Sequence, residues 1–402
     1  MPSYSELFPA DDADARALKL EAGKRERPVV ALVIDAIYPY SLGGRELRCH
    51  ELVKRLADRA DLHVYTMHWW NGPRTICGEN ATFHAVSRLL PMYRKNRRSI
   101  WQALCFAVGC ARLVGCRFDV LEADHIPYFQ ILVLRVIATL KRKRFVVTWH
   151  EVWGYSYWRS YLGWLGPGAW FVEWLAMRLP DHIVAASPQT ADRLRAKVGT
   201  RTSVSVAPNG IDLEAIGSAC PSPATSDLIV VGRLMAHKRV SLLFEAMALL
   251  HAQGLPVTCR VIGDGPDRSH LHRQAEELGI STAVEFRHDL REQKEVYSLV
   301  KSARVFVSPS DREGFGIAVL EALACGVPVV TTSAPNNLAQ HLVSRSSRGT
   351  ICEASAPALA DAIRNVLSGP NSSARRATDE DPWLSEYRWE SITPKVARVL
   401  LI

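Results

Sequence analysis

The sequence lacks an uncharged apolar run as long as a membrane-spanning helix, because basic residues such as those at 141–144 interrupt its longest apolar stretches. A spanning helix needs about 18 such residues or more. Residues 1–27 are polar and mixed in charge, without the apolar core of a secretory signal. Cys105, Cys110 and Cys116 lack the short paired spacing of a zinc site. These absences favour a cytoplasmic chain with reduced cysteines that pack in a helix and do not bind zinc.

The composition is that of a folded protein with more than one domain. At 402 residues, with 48% hydrophobic and 22% charged residues, the chain is globular and too long for one ordinary core. A net charge of +8 favours anionic partners such as nucleotide phosphates or an anionic membrane. The positive charge is dispersed and no nucleic-acid-binding motif is present, so we expect no nucleic-acid partner.

Two series of apolar strands alternate with helical patterns along the chain. The first series begins at 29–34, and the second begins at 228–231. This alternation predicts parallel sheets covered on both faces. The fold class is therefore α/β, with two doubly wound Rossmann-like domains that face each other across a cleft and bind ligands beyond their strand ends. The predicted divisions are an N-terminal extension, a first domain, a second domain and a final helix returning to the first domain, at 1–27, 28–207, 208–380 and 381–402.

Two glutamates eight residues apart, Glu313 and Glu321, are the most informative feature of the sequence. The apolar strand 305–307 precedes them, and helical spacing follows Gly316. Gly314 and Gly316 allow a ligand close to the backbone, and a helix N-terminus attracts an anion. A phosphate at the helix end with a polyol at each glutamate describes a sugar nucleotide, although such a glycine-bearing loop also occurs without a ligand.

Two further loops combine glycine with charged residues after a predicted strand. Gly232, Arg233 and Lys238 follow the strand 228–231, where two cations suit a diphosphate. Gly43 and Gly44 follow the first strand and open the first helix, which predicts a second place for a pyrophosphate. An ordinary turn between a strand and a helix is the alternative.

His150 lies two residues after the predicted strand 145–148 and would point into the cleft. It does not start a zinc-protease motif, because position 154 is Gly where that motif requires a second histidine. A structural role for a lone histidine remains an equal alternative. The stretch Gly263-Asp264-Gly265 matches the start of a dinucleotide-binding fingerprint, but Arg268 occupies the position of the third glycine. We therefore exclude hydride transfer.

Basic residues in 93–98 precede an apolar helix that opens with Ile100 and Trp101. Basic residues beside tryptophan are typical of contact with an anionic membrane surface, and a solvated helix start is the alternative. We therefore expect a cytoplasmic protein that can associate with the inner face of a membrane.

In their order along the chain, these motifs resemble the retaining glycosyltransferases of family 4, which have the GT-B architecture. The resemblance extends over nearly the whole chain from Val29 and is strongest over 208–343, where it includes Pro208-Asn209-Gly210 and Cys325-Gly326-Val327-Pro328. It implies transfer of a hexose from a nucleoside-diphosphate sugar, a UDP- or GDP-sugar, to a hydroxyl acceptor, with retained anomeric configuration and without a metal or other cofactor. The acceptor would be a lipid-linked glycan or a small natural product.

The resemblance also implies roles for individual residues. Glu321 would bind the ribose, Glu313 the hydroxyls of the donor sugar, and Arg233 with Lys238 the diphosphate. The remaining donor-binding positions are backbone groups, and they comprise Gly43, Gly44, Gly232, Gly314, Phe315, Gly316 and, near the base, Leu290. His150 would lie near the donor sugar and count with Arg233, Lys238 and Glu313 as catalytic. A sugar-nucleotide epimerase, a phosphorylase and a non-catalytic membrane-associated carbohydrate-binding protein remain alternatives.

Overall fold

The computed structural model describes residues 27–94, 97–290, 292–369 and 381–401. The chain forms two compact units, one of Met1–Pro208 with Ile392–Ile402 and one of Asn209–Ser391. The predicted extension lies outside the described residues except for Arg27, and so do residues 370–380. Within the described ranges, no helix combines the length and the apolar character needed to cross a bilayer.

The first unit is built on an eight-stranded sheet with the order β10-β9-β8-β7-β1-β2-β4-β3. Its strands and a separate hairpin, β5 with β6, are β1 Val29–Val33, β2 Asp61–Met67, β3 Thr75–Cys77, β4 Thr82–Ser87, β5 Tyr93–Arg94, β6 Arg97–Arg98, β7 Val120–Asp124, β8 Arg144–Trp149, β9 His182–Ala185 and β10 Ser203–Val206. Its first six helices are α1 Gly44–Leu56, α2 Ile100–Cys110, α3 Phe129–Lys141, α4 Gly154–Leu162, α5 Gly166–Ala176 and α6 Pro188–Arg195.

All neighbours in this sheet are parallel except β3, which runs antiparallel to β4. The predicted parallel sheet is confirmed, and β3 adds an antiparallel strand at its edge. The connection from β3 to β4 is a tight turn in which Gly78 N donates to Ala81 O at 2.9 Å. A parallel pair needs a crossover of a dozen residues or more, which this turn cannot supply.

The second unit contains a six-stranded, wholly parallel sheet with the order β13-β12-β11-β14-β16-β18. Its strands, with the short pair β15 and β17, are β11 Ser226–Val231, β12 Cys259–Ile262, β13 Val284–Arg287, β14 Ala303–Ser308, β15 Arg312–Glu313, β16 Val329–Thr332, β17 Asn336–Asn337 and β18 Gly349–Cys352. Its helices are α7 Leu213–Ser218, α8 Val240–Ala252, α9 Arg268–Glu277, α10 Gln293–Lys301, α11 Ile317–Ala324, α12 Gln340–Val343 and α13 Ala356–Ser368. This is the strand order of a dinucleotide-binding Rossmann sheet.

The two faces of this sheet have separate apolar layers, because successive side chains of a strand point in opposite directions. Leu228 packs into one layer with Phe244 of α8, and Ile229 packs into the other with Leu320 of α11. Burial of each such side chain is worth about 1.5–3 kcal/mol relative to exposure. The segment that follows β11 therefore covers one face of the sheet, and the segment that follows β14 covers the other.

The end of the chain differs from the single returning helix predicted over 381–402. A 3₁₀ turn at Pro382–Tyr387 places Leu384 and Tyr387 in the core of the second unit. Helix α14 (Trp389–Leu400) follows, and from Ile392 onward the chain belongs to the first unit. There Arg144 Nη1 donates to Val399 O at 2.8 Å.

Gly263, at the end of β12, meets the backbone of Gly232 at the end of β11. A Cβ on Gly263 would lie 2.0 Å from Gly232 O, and the φ of Gly263 is +135°. We expect Gly263→Ala to destabilise the protein by about 1–3 kcal/mol or more, because the backbone carbonyl cannot rotate away as a side chain can.

Gly254→Ala is the matched control, since Gly254 also has a positive φ, +81°, but nothing within 4 Å of an added Cβ. Thermal unfolding followed by circular dichroism compares the two variants. An equal loss of Tm in both would contradict the close approach at Gly263.

Candidate functional site

The centre of the second sheet is the topological switch point of this unit. There β11 and β14 are adjacent, and the chain leaves them toward opposite faces. Ligands of doubly wound sheets bind beyond the strand ends at such a point. The loop containing Arg233 and Lys238 follows β11, and the loop containing Glu313 follows β14.

Hydrogen bonds and ion pairs join these two loops. Asp311 N donates to His237 O at 2.9 Å, and Arg239 Nη1 lies 3.4 Å from Asp311 Oδ2. The Lys238 ammonium forms an ion pair with the Glu313 carboxylate, and both side chains are about one fifth to one quarter exposed. The structure thus brings Lys238 and Glu313 into direct contact, which the sequence did not predict.

Three cations surround His237 of the first loop. Burial, together with the positive charges of Arg312, Lys238 and Arg233, lowers the pKa of His237 to about 2. The imidazole is therefore neutral at physiological pH, and the positive charge of this edge resides on the lysine and the two arginines. Such a concentration of charge is suited to a phosphate-bearing ligand.

Glu313 and the residues after it are positioned by backbone contacts. Glu313 O accepts from Leu338 N at 2.8 Å, and β15 pairs with β17. Gly316 caps α11 with a φ of +94°, and a Cβ there would lie 2.5 Å from the Cβ of Ala339. Phe315 is buried, with its ring centroid 5.7 Å from that of Tyr387. The Phe315 side chain therefore belongs to the core, and a ligand would meet backbone N–H groups here.

Glu321 lies within α11 and is buried. Its Oε1 accepts from the Tyr297 hydroxyl at 2.9 Å and from Gln293 Nε2 at 3.1 Å, whereas its Oε2 has no hydrogen-bond partner among the described residues. Burial raises the pKa of Glu321 to about 7, although both hydrogen bonds act to lower it. Leu290, which follows β13, packs against the apolar layer that contains Leu320 of α11.

In the first unit, the ends of β7 and β8 bring Asp124 and His150 together. Asp124 Oδ2 lies 2.8 Å from His150 Nε2, and Asp124 Oδ1 accepts from Arg45 Nη1 at 2.8 Å. Burial alone would raise the pKa of Asp124, but Arg45 and His150 hold it well below its usual range. Because the ionised Asp124 can only accept, His150 Nε2 donates to it, and Nδ1 is not used in this contact.

Arg45 connects this pair to the start of α1. Its Nη2 lies 3.4 Å from Asp35 Oδ1, and Asp35 also pairs with Arg98. Gly43 is extended and precedes α1, and Gly44 is its exposed first residue. The predicted phosphate-binding turn thus directly precedes the arginine that contacts Asp124.

Asp124, His125 and His150 place their ligand atoms within 4.8 Å of one another, the spacing of a metal-binding group. Arg45 already contacts Asp124 at 2.8 Å, and its positive charge opposes a second cation there. We interpret the group as an ion-pair network. The prediction of no bound metal stays a prediction.

Sequence reasoning did not identify Asp124 or Arg45, nor Tyr297 and Gln293, the partners of Glu321. Asp124 is the last residue of β7, and His150 directly follows the last residue of β8, so the strand-end rule that selected His150 could also have selected Asp124. No local signal marks Gln293 or Tyr297, because they reach Glu321 from another helix.

The chain matches two family models. Residues 42–215 match Glycosyltransferase Family 4, and residues 223–380 match Glycosyl transferases group 1. By these two matches the chain belongs to the group 1 and family 4 glycosyltransferase family. A curated relative is the GDP-mannose-dependent alpha-(1-6)-phosphatidylinositol dimannoside mannosyltransferase of Mycobacterium tuberculosis, which is 30% identical over 189 residues, 45% of this chain and 48% of the relative. The match spans about half the length of the curated relatives.

Solved structures of glycosyltransferases share the fold of this glycosyltransferase. Sucrose-phosphate synthase from Thermosynechococcus elongatus has a TM-score of 0.76 at 19% identity, over 93% of this chain and 98% of that chain. HepE from Anabaena, solved in complex with UDP and glucose, has a TM-score of 0.68 at 19% identity, over 93% of this chain and 99% of that chain. These neighbours establish the two Rossmann-like domains.

The raised pKa of Glu321 predicts a dependence of stability on pH. Between its ordinary value of 4.5 and its folded value of about 7, the folded state holds a proton that the unfolded state has released. Stability is therefore greatest below the ordinary pKa and declines as pH rises through this window, by up to about 3 kcal/mol. In Glu321→Gln, the side-chain oxygen can still accept from Tyr297 and Gln293 but cannot ionise.

We expect the Tm of the Glu321→Gln variant to fall less than that of the wild type between pH 5 and pH 8. Glu276→Gln, on an exposed glutamate of α9, is the control and should retain the wild-type dependence. The same pH profile in the wild type and in Glu321→Gln would show that Glu321 is ionised throughout this range.

Proposed function

We propose that this glycosyltransferase moves a glycosyl group from a nucleoside-diphosphate sugar to a hydroxyl acceptor, with retained configuration and without a divalent metal. One observation carries the proposal. Arg233, Lys238 and Arg312 gather around His237 at the switch point of the second unit, beside Glu313. A cationic edge next to a carboxylate fits a diphosphate joined to a sugar.

Each part of the donor is proposed to contact a different group at this edge of the sheet. The diphosphate contacts Arg233 and Lys238, and the N–H groups at 314–316 lie at the start of α11, where the helix dipole favours negative charge. Glu321 accepts the ribose hydroxyls through Oε2, since Oε1 is already bonded to Tyr297 and Gln293. The backbone near Leu290 meets the base. The relative that uses GDP-mannose and the neighbour solved with UDP support a UDP- or GDP-sugar.

Catalysis rests on charge that develops as the donor breaks. The bond from the anomeric carbon to the diphosphate oxygen opens, and negative charge grows on that oxygen. Cations already in place stabilise this charge without rearranging during the reaction, and such stabilisation usually contributes most to the rate enhancement. On this basis the cations of the protein stabilise the charge that a divalent metal ion stabilises in other enzymes.

The groups available at this edge support the proposal of retained configuration. Glu313 is paired with Lys238, and Glu321 is buried against Tyr297, so neither carboxylate serves as a nucleophile. The acceptor oxygen therefore attacks from the face that the diphosphate leaves. The new bond forms between the acceptor oxygen and the anomeric carbon, and the acceptor proton passes to the departing diphosphate oxygen.

We propose first-domain roles as well. His150 contacts the donor sugar through Nδ1, because Asp124 occupies Nε2. Gly43 and Gly44 expose the start of α1 to phosphate oxygens. The acceptor is a lipid-linked envelope glycan or a small natural product, and the phosphatidylinositol dimannoside named for the mycobacterial relative supports the lipid-linked class.

Removing either cation should abolish turnover. Arg233→Ala and Lys238→Ala are each expected to lose about a hundredfold or more in kcat, since each removes a group aimed at the developing charge. Thermal shift with UDP, GDP and ADP first selects the base, and release of that nucleoside diphosphate from its glucose and mannose donors is then measured. Arg273→Ala, an exposed cation of α9, should behave as the wild type.

A normal kcat in both variants would refute the assignment of these cations. Interconversion of the donor sugar without any acceptor would identify an epimerase.

Glu313→Ala should impair selection of the sugar more than affinity for the nucleotide. The substitution removes the acceptor for sugar hydroxyls but leaves the Lys238 ammonium free for phosphate. Competition of the free nucleoside diphosphate against two donors that differ only in the sugar measures both effects. A large loss of affinity for the free nucleotide, with unchanged preference between the donors, would contradict the role of Glu313.

A further inference from the structure

The first unit exposes most of the large apolar side chains that lie at the surface. Of the fourteen such side chains among the described residues, eleven lie between Ile100 and Phe171. The most exposed are Trp164 at 82%, Val108 and Leu140 at 72%, and Trp101 at 67%. Single exposed apolar residues are ordinary, but a concentrated set marks an interaction surface.

These side chains form one surface. Helix α2 packs against α3, α3 against α5, and α5 against α4. On α2, Trp101, Leu104 and Val108 recur at helical spacing, and on α3 Val136 and Leu140 are four residues apart. Residues at these spacings share one side of a helix. We call the exposed apolar side chains of α2, α3, α4, α5 and the turn at Gly163–Leu165 the apolar face.

The exposed charges on the helices of the apolar face are positive, although Arg135 pairs with Asp181 and Lys143 with Asp119 in neighbouring segments. The segments 97–118, 125–144 and 152–172, which contain α2, α3, α4 and the first part of α5, hold ten lysines and arginines and no aspartate or glutamate. The remaining part of α5 contains Glu173, which is buried. Four of the ten are consecutive at 141–144, around the end of α3. The whole chain has 41 acidic residues, so their absence here is a property of this surface.

We propose that the apolar face docks the protein on a bilayer of anionic phospholipid. Exposed tryptophan and aliphatic side chains insert at the headgroup boundary, and the cations beside them bind lipid phosphates. A second copy of the chain is a poor occupant, because a symmetric dimer through this face would oppose cations to cations. Docking itself does not depend on the proposed function. Its consequence rests on that function: the acceptor hydroxyl belongs to a lipid-linked molecule.

The apolar face also connects to the carboxyl edge of the first sheet. Helix α4 begins at Gly154, shortly after His150, and ends just before Trp164. Its Tyr161 hydroxyl accepts from Arg98 N at 2.8 Å, and Arg98 pairs with Asp35. Its N-terminal turn is held by Glu173, which accepts from Trp153 N at 2.8 Å. A lipid headgroup at Trp164 would thus lie at one end of the helix whose other end follows His150.

The test is flotation of the full chain with vesicles of phosphatidylcholine alone and of phosphatidylcholine with phosphatidylglycerol, each at low and high salt. The wild type should float with the anionic vesicles, less so at high salt, and not with the neutral vesicles. Two variants test the apolar side chains and the cations of this surface separately. One is Trp101→Ser with Trp164→Ser, and the other is Arg117→Gln, Arg142→Gln and Arg159→Gln, all at exposed positions.

The double serine variant should lose most of its binding. The triple glutamine variant should lose about fivefold in vesicle affinity for each charge removed. Leu249→Ser with Ile351→Ser removes exposed apolar side chains of the second unit and should bind as the wild type. Thermal shift with nucleoside diphosphates should be unchanged in all of these variants, since none replaces a donor-binding residue.

Wild-type protein that stays unbound with anionic vesicles would overturn the proposal, and so would either face variant that floats as the wild type does. A lipid-free dimer that the Trp101→Ser, Trp164→Ser variant dissociates would assign the face to a second copy instead. Donor turnover without vesicle binding would reject docking alone. Vesicle binding without donor turnover would support docking and reject the proposed transfer.

Discussion

The candidate donor site depends on the contact between the two loops that leave β11 and β14. The backbone bond from Asp311 to His237 fixes the loops at one edge, and the ion pair of Lys238 with Glu313 fixes their side chains. The close approach of Gly263 to Gly232 fixes the end of β11 from its other side. Without these contacts the cations and the carboxylates would occupy separate loops, and no single ligand would meet both.

Each unit holds an ionisable residue of its candidate site in one protonation state, and the neighbouring groups that do so differ between the units. In the second unit, burial and the neighbouring cations leave His237 neutral. There one glutamate is paired with Lys238, and the other is buried beside hydroxyl and amide donors. In the first unit, Asp124 remains ionised because Arg45 and His150 both contact it. The second arrangement favours a polyanionic ligand, and the first fixes the orientation of one imidazole.

Much of the fold could be read from the sequence, because buried parallel strands are short apolar runs and the loops after them carry glycine and charge. That rule located the segments with Gly44, His150, Arg233 and Glu313 at strand ends. It missed β3, whose antiparallel pairing with β4 is set by the tight turn between the two strands. It also took the chain end for one returning helix, because Leu384 and Tyr387 are apolar in either location.

What the sequence alone determined is the periodicity of the two Rossmann-like halves and the identity of the charged residues on their loops. Both are local properties, set by strand and helix spacing and by glycine. Only the tertiary structure decided which charges meet. Lys238 faces Glu313 across 75 residues, and Arg45 faces Asp124 across 79. Separations of that length are closed by the packing of strands side by side, and no local pattern encodes which side chains then come within hydrogen-bonding distance.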